Sequence, residues 1–181
     1  MADSLVLING MPGSGKTTLA GPLAVDLGAQ LLSKDGVKEA LADMLVATTW
    51  AVPQLGAIAM DTTWALAGAA SGTVVIESFW FRPRDLRFAE EGIRTAGARS
   101  VVEVWCDVPV ELARTRYARR TRHAVHEDDR RLTLDWETWA EQAEPLALGP
   151  VMRVDTREPI DLHSLVRAVQ AQLGRIDEAY P

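Results

Sequence analysis

Residues 9–18 read Asn9-Gly10-Met11-Pro12-Gly13-Ser14-Gly15-Lys16-Thr17-Thr18, and they follow the apolar run Leu5-Val6-Leu7-Ile8. The spacing Gly10-x-x-x-x-Gly15-Lys16-Thr17 is that of a phosphate-binding P-loop. Each residue type answers a need of that chemistry. Gly10, Gly13 and Gly15 allow a tight turn that turns backbone N–H groups toward phosphate oxygens. A helix opening near Lys16 favours an anion at its N-terminus. Lys16 is placed to reach the β- and γ-phosphates, and the Thr17 hydroxyl to hold Mg²⁺. Met11, Pro12, Ser14 and Thr18 complete the expected nucleotide-binding set. The apolar run before the loop and the helical spacing of "TTLAGPLAVDLGA" after it give strand, loop, helix, the context the motif requires.

Working outward, strands are expected at 5–9, 30–33, 73–77, 100–106 and 151–154. Helices are expected at 16–27, 36–47, 54–70, 83–96, 109–122, 134–147 and 160–173. Such alternation predicts an α/β fold, a parallel sheet with helices on both faces. Pro83 and Pro109 stand at helix starts, and Gly28, Gly72 and Gly97 at helix stops. No repeat or linker divides the chain, so a single domain over 1–181 is expected. At 181 residues with 48% hydrophobic residues it suits one core. No apolar run approaches the ~20 residues of a membrane span, and no signal segment opens the chain, so a cytoplasmic location is expected. Cys106, the single cysteine, excludes an intrachain disulfide and reads as a core thiol. A net charge of −6 disfavours long nucleic acids as partners. The positive charge is nonetheless grouped: Lys16, Lys34 and Lys38 come early, and seven arginines fall between 114 and 131.

In parallel sheets of this kind ligands bind beyond the carboxyl ends of the strands. Those ends carry Ser33-Lys34-Asp35, then Glu77-Ser78 with Phe79-Trp80-Phe81, then Cys106-Asp107, then Asp155-Thr156. A P-loop alone names no reaction, but three classes fall away. Guanine selection needs Asn-Lys-x-Asp, and Asn9 is the only asparagine. A ring ATPase needs a longer chain with a helical lid domain. A transporter subunit carries an "LSGGQ" loop, which is absent.

The chain resembles the P-loop kinases related to zeta toxin, chloramphenicol phosphotransferase and polynucleotide 5′-kinase, an AAA-type ATP-binding group. Gluconate and shikimate kinases are more distant relatives. The resemblance rests on "INGMPGSGKTTLA", "LLSKDGVKEAL", "TVVIESFWFRPRDLR", "VVEVWCDVPVELARTRYARR" and "VMRVDTREPIDLHSLVRAV", in that order. It implies a P-loop NTPase fold with a five-stranded parallel sheet in the order 2-3-1-4-5, a short arginine-rich lid, and ATP with Mg²⁺ as cofactors. Glu77 departs from it, standing where relatives often carry Asp. Residues 48–71 have no counterpart in it, so the identity of the acceptor does not carry over.

Candidate roles follow. Asp35 is the catalytic base or an acceptor-orienting carboxylate; the competing reading is an N-cap for the helix at Gly36. Lys38, one turn on, either contacts an anionic substrate group or is solvated. Glu77 holds Mg²⁺ through water or contacts substrate. In the lid, Arg116 and Arg119 are assigned to the nucleotide and Arg120 to the transferring phosphate. The competing reading is a surface helix paired with Glu127, Asp128 and Asp129. Trp50, Trp64 and Trp80 either stack on a ligand or build core; Trp80 is assigned to the substrate, beside Phe79 and Phe81. Trp136 and Trp139 read as helix packing, and His123 and His126 as surface histidines rather than metal ligands. The expected function is transfer of the γ-phosphate of ATP to a hydroxyl of a small, non-phosphorylated molecule such as a sugar, antibiotic or nucleoside. The alternatives are a kinase of nucleotides or polynucleotide ends, and a non-catalytic or toxin-like ATP-binding protein.

Overall fold

A computed structural model describes residues 2–45 and 52–179. Five strands form one parallel sheet: β1 (Ser4–Asn9), β2 (Gln30–Ser33), β3 (Thr73–Glu77), β4 (Ser100–Asp107) and β5 (Val151–Asp155), in the order β2-β3-β1-β4-β5. This is the order and direction expected of a P-loop kinase sheet. Around it lie α1 (Lys16–Leu27), α2 (Lys34–Asp43), α3 (Val52–Ala69), α4 (Arg82–Ala96), α5 (Val110–Arg119), α6 (Asp128–Leu134), α7 (Trp136–Gln142) and α8 (Leu162–Ala179). Trp50 lies outside the described residues, as does the end of the helix expected at 36–47.

The period-two alternation of β1 sorts its side chains onto two faces. Val6 and Ile8 join Val75, Val104 and Cys106 under α1 and α8. Leu5 and Leu7 join Val74 and Ile76 under α3 and α4. Both faces are therefore covered, which is why the strands read as unbroken apolar runs. A third cluster lies apart from the sheet: Met11, Phe81, Ala113, Tyr117, Trp136 and Trp139 pack together where the arginine-rich segment folds back. Trp136 and Trp139 are packing residues, as their spacing predicts, and deleting either ring would cost about 3–5 kcal/mol.

The largest departures from expectation lie in that segment. The helix expected at 109–122 ends at Arg119, because Arg120 turns to an extended backbone with ψ 142°. A short 3-10 turn follows at Ala124–His126, and then α6, which periodicity did not reveal. The helix expected at 134–147 is only α7, and residues 143–150 are irregular. Their shape is fixed from outside: the buried Glu103 carboxylate accepts the N–H groups of Leu146 at 3.0 Å and Ala147 at 2.9 Å. The same carboxylate accepts from Asn9 Nδ2 at 2.8 Å, so this irregular stretch is bolted to the base of the P-loop.

Candidate active site

The P-loop is shaped by contacts that leave no room for side chains at Gly10 and Gly13. Gly10, Gly13 and Gly15 all have positive φ. At Gly13 (φ 84°) a Cβ would overlap the Ala113 carbonyl of α5. From the far side, Thr156 Oγ1 donates to the Ser14 carbonyl at 2.7 Å and lies 3.0 Å from that of Asp107. Asn9 fastens the entry, accepting Gly10 N–H at 2.8 Å and Trp80 N–H at 3.1 Å on one side-chain oxygen. Gly10, Met11 and Ser14 lie beneath the surface, while Pro12, Gly13 and Gly15–Thr18 line the cleft.

Two features of the loop fit a bound phosphate. Ser14 Oγ is buried with no hydrogen-bond partner. Lys16, 8% exposed, folds its ammonium onto the carbonyls of Gly10 at 2.8 Å and Met11 at 2.9 Å. Burial pulls the Lys16 pKa below its ordinary value, and Glu77 and Asp35 partly restore it. A desolvated cation held only by carbonyl dipoles is a strong site for an anion.

Beside it, Glu77 Oε1 accepts from Thr17 Oγ1 at 3.1 Å and Oε2 from Ser33 Oγ at 2.8 Å. The register explains the grouping: Ile8, Glu77 and Ser33 are lateral neighbours on three adjacent strands. One hydroxyl and one carboxylate suit Mg²⁺, which keeps most of its water and needs few protein ligands.

Asp35 faces the cleft. The N-cap reading is corrected: α2 begins two residues earlier, and Ser33 Oγ accepts Gly36 N–H at 3.4 Å. Asp35 Oδ2 instead accepts from Arg122 Nη1 at 2.6 Å, and Oδ1 lies 3.5 Å from Lys34 Nζ. Burial would raise this carboxyl, but Lys34, Arg122 and His126 outweigh it and hold it well below the usual carboxylate range. Arg122, absent from the expected site, is thus the partner of the principal acid. No periodicity marks it, since it lies past the end of α5.

The remaining assignments divide. Arg116 lines the cleft and donates to the carbonyls of Thr156 at 3.1 Å and Arg157 at 3.3 Å, on the side of the β5 exit. Arg119 is exposed and outside the cleft wall, because the helix turns it to solvent. Arg120 lines the cleft but is held by Asp128 at 3.0 and 3.2 Å and lies over the Tyr117 ring at 3.9 Å. Arg122 shares that carboxylate, at 2.8 and 2.9 Å. The Asp128 half of the surface-pairing reading therefore holds, inside the cleft rather than on the surface.

Lys38 is neither solvated nor free: it is 2% exposed and donates to the Val125 carbonyl at 2.8 Å. Burial brings its pKa down to about 8. His126 is also no surface residue; at 3% exposure it meets Glu39 at 2.7 Å, while His123 meets Asp43 at 3.0 Å. These contacts bind α2 to the segment after α5. Trp80 is 2% exposed and stacks on Trp64 with centroids 6.1 Å apart. It forms cleft wall rather than an open face, and Phe81 has turned into the third cluster. Phe79 keeps a place in the cleft, 5.7 Å from Lys16 Nζ. Cys106 is buried as expected, its thiol pushed up to about 12.

Together these walls enclose about 970 Å³, the upper end of the range for ligand sites. Fold and loop define a P-loop NTPase of the kinase architecture. The AAA domain family model matches residues 5–146, and the chain belongs to that family. No curated protein matches it in sequence. Among solved structures it is similar to a protein from Chloroflexus aurantiacus assigned to the kinases, with 28% identity, 94% of this chain and 98% of the other covered, and a TM-score of 0.74. A sugar kinase from Janibacter sp. HTCC2649 (20% identity, 94% of each chain, TM-score 0.59) shares the fold. So does a gluconokinase from Sinorhizobium meliloti 1021 (19%, 98% and 95%, 0.57).

Proposed function

We propose that this protein is an ATP-dependent phosphotransferase that moves the γ-phosphate to a hydroxyl of a small, non-phosphorylated molecule. The observation that carries the reading is the convergence of Lys16, the Thr17–Glu77 pair and Asp35 on one cleft above the P-loop. Kinases among the structural neighbours support the phosphotransferase part of this reading, including one solved in complex with AMPPNP and APS. The order of motifs supports a place near the zeta toxin and chloramphenicol phosphotransferase group.

In this reading the P-loop N–H groups and Ser14 Oγ take the phosphate oxygens. Lys16 leaves its carbonyls for the β- and γ-phosphates. Thr17 and, through water, Glu77 would hold Mg²⁺, which would supply neutralising charge to the phosphates. Arg116 flanks the nucleotide, and Arg120 leaves Asp128 to face the transferring group. Asp35 accepts the hydrogen of the acceptor hydroxyl and aligns its oxygen with the γ-phosphorus. A carboxylate held so far down is a weak base. That suits a loose transition state in which the proton leaves late.

The test is ADP release across a panel of sugars, nucleosides and hydroxylated antibiotics, with Asp35→Asn beside the wild type. At least one acceptor is expected to accelerate ADP release. Asp35→Asn should lower kcat about a hundredfold while the affinity for ATP stays level. An unchanged rate in that variant would remove Asp35 from the mechanism.

A further inference from the structure

Where α2, the turn Ala124–His126 and α6 meet, two cations from different helices grip consecutive carbonyls. Lys38 Nζ donates to that of Val125 at 2.8 Å, and Arg131 Nε to that of His126 at 3.0 Å. Adjacent residues stand about 3.8 Å apart at Cα, so the turn draws the two charged heads together. The charge of Arg131 is accordingly one of those that depress the Lys38 ammonium. Both side chains line the cleft. Lys38 is 2% exposed, and the Val125 carbonyl is its one hydrogen-bond acceptor among the described residues. Arg131 keeps the end of its fork open: Asp135 Oδ2 stands 3.9 Å from Nη1, beyond hydrogen-bond length.

The corner carries an excess of positive charge. Lys34, Arg131 and Arg122 all press on Lys38, and Asp35 pulls the other way. The carboxylates around it are committed elsewhere: Asp35 to Arg122 and Lys34, Asp128 to Arg120 and Arg122, Glu39 to His126. A desolvated ammonium beside a guanidinium, both resting on carbonyl dipoles, is the arrangement that made Lys16 an anion site, repeated farther along the cleft. The geometry also selects the anion. The planar fork of Arg131 matches the two oxygens of a carboxylate. A second negative charge on the same group would face Asp35 and Asp135, which line this corner too. Lys38 follows Asp35 by three residues, so the two rise from one face of α2 with Cβ atoms about 5–6 Å apart.

We propose that Lys38 and Arg131 hold a carboxylate of the acceptor, which makes that acceptor a hydroxy acid whose reacting hydroxyl lies about one helical turn from its carboxylate. The carboxylate oxygens accept from Lys38 Nζ and from the fork of Arg131, and the hydroxyl then lies at Asp35. The inference rests on the phosphotransferase reading and narrows its substrate class. In the transfer the hydroxyl oxygen bonds to the γ-phosphorus, and the bond from that phosphorus to the β,γ-bridging oxygen breaks. The electron pair leaves on ADP, and the hydroxyl proton passes to Asp35. The carboxylate takes no part in the bond changes; it fixes where the hydroxyl stands.

Three rigid probes of one shape test it: 4-(hydroxymethyl)benzoate, 4-(hydroxymethyl)benzamide and 4-(hydroxymethyl)phenylphosphonate, a monoanion, a neutral isostere and a more highly charged anion. Calorimetric titration into protein saturated with AMPPNP measures binding without turnover, and ADP release with ATP measures transfer. The carboxylate should bind about tenfold tighter than the amide, and the phosphonate more weakly than the carboxylate. Lys38→Met and Arg131→Gln should each bring the carboxylate to within about threefold of the amide. The quantity read is the ratio of the two affinities, so a variant that merely loosens α2 weakens both probes alike and keeps the ratio. No binding by the carboxylate, an amide or phosphonate that binds as tightly, or a ratio that survives either variant would each overturn the inference. Binding in the expected order with no ADP release from any acceptor would remove the kinase reading and leave the carboxylate site standing. Faster ADP release with the amide than with the carboxylate would remove this inference and leave the kinase reading standing.

Discussion

On the P-loop side of the cleft the contacts are made by backbone, whereas on the side of α2 and the arginine-rich segment they are made by charged side chains. Gly10, Gly13 and Gly15 shape the first side, with Asn9, Thr156 and Glu103 pinning it from beneath. Asp35, Arg122, Asp128, Arg120, Glu39 and His126 make the second, each group tied to one of the others. Backbone can take one shape, so the first side is finished before any ligand arrives. Side-chain pairs can exchange partners, so the second side can be reset by the ligand it meets.

The sharpest break of that contrast is Lys16→Ala. Lys16 is the cation of the first side, buried and without an ion-pair partner among the described residues, so no neighbour can replace it. Turnover should fall about a thousandfold, while the midpoint of urea unfolding stays level or rises, since a desolvated cation has gone. A variant within tenfold of the wild type would show that the loop's dipoles suffice. Arg122→Ala probes the second side, where Lys34 and His126 still face Asp35 and Arg120 still holds Asp128. Turnover should fall only about tenfold, the scale of one charge-assisted hydrogen bond. The acid limb of kcat against pH should also move to higher pH, because one of the charges depressing Asp35 is lost. An unmoved acid limb would assign it to another group.

The smallest effect is expected at Lys38, which joins α2 to the segment beyond α5. Its native pKa of about 8 lies below the ordinary 10.5. Between those values the unfolded chain holds a proton that the native protein has lost, so Lys38 makes stability rise with pH across that window. Lys38→Met should flatten the rise, read as the difference between variant and wild type in urea midpoints at pH 7.5 and 10. A difference that does not change between the two pH values would mean that Lys38 keeps its proton when buried.

The same contrast explains what could be read in advance. The P-loop spacing and the five strands follow from local pattern, because strand ends and glycine turns are set by neighbours in sequence, whereas the strand order, which brings Asp35 beside Glu77, comes from the resemblance to P-loop kinases. Arg122 and Asp128 do not follow, because a guanidinium past a helix end declares its partner only when the chain has folded. The solvated reading of Lys38 and the surface reading of His126 fail for a related reason: polar residues on short elements read as solvated until another segment covers them. Trp80 was assigned by its neighbours Glu77 and Phe79, yet the chain beyond β3 turns it toward Trp64, a partner sixteen residues earlier that packs on Gly92.

Thr156 gives the loop a thermodynamic character of its own. Its hydroxyl and backbone N–H tie the end of β5 to Asp107, and through Ser14 to the crown of the P-loop. The loop's conformational entropy is therefore surrendered when the sheet forms, and little is left to lose when a phosphate enters. Binding there should be governed by enthalpy and desolvation, and its heat should be nearly independent of whether the rest of the cleft is filled.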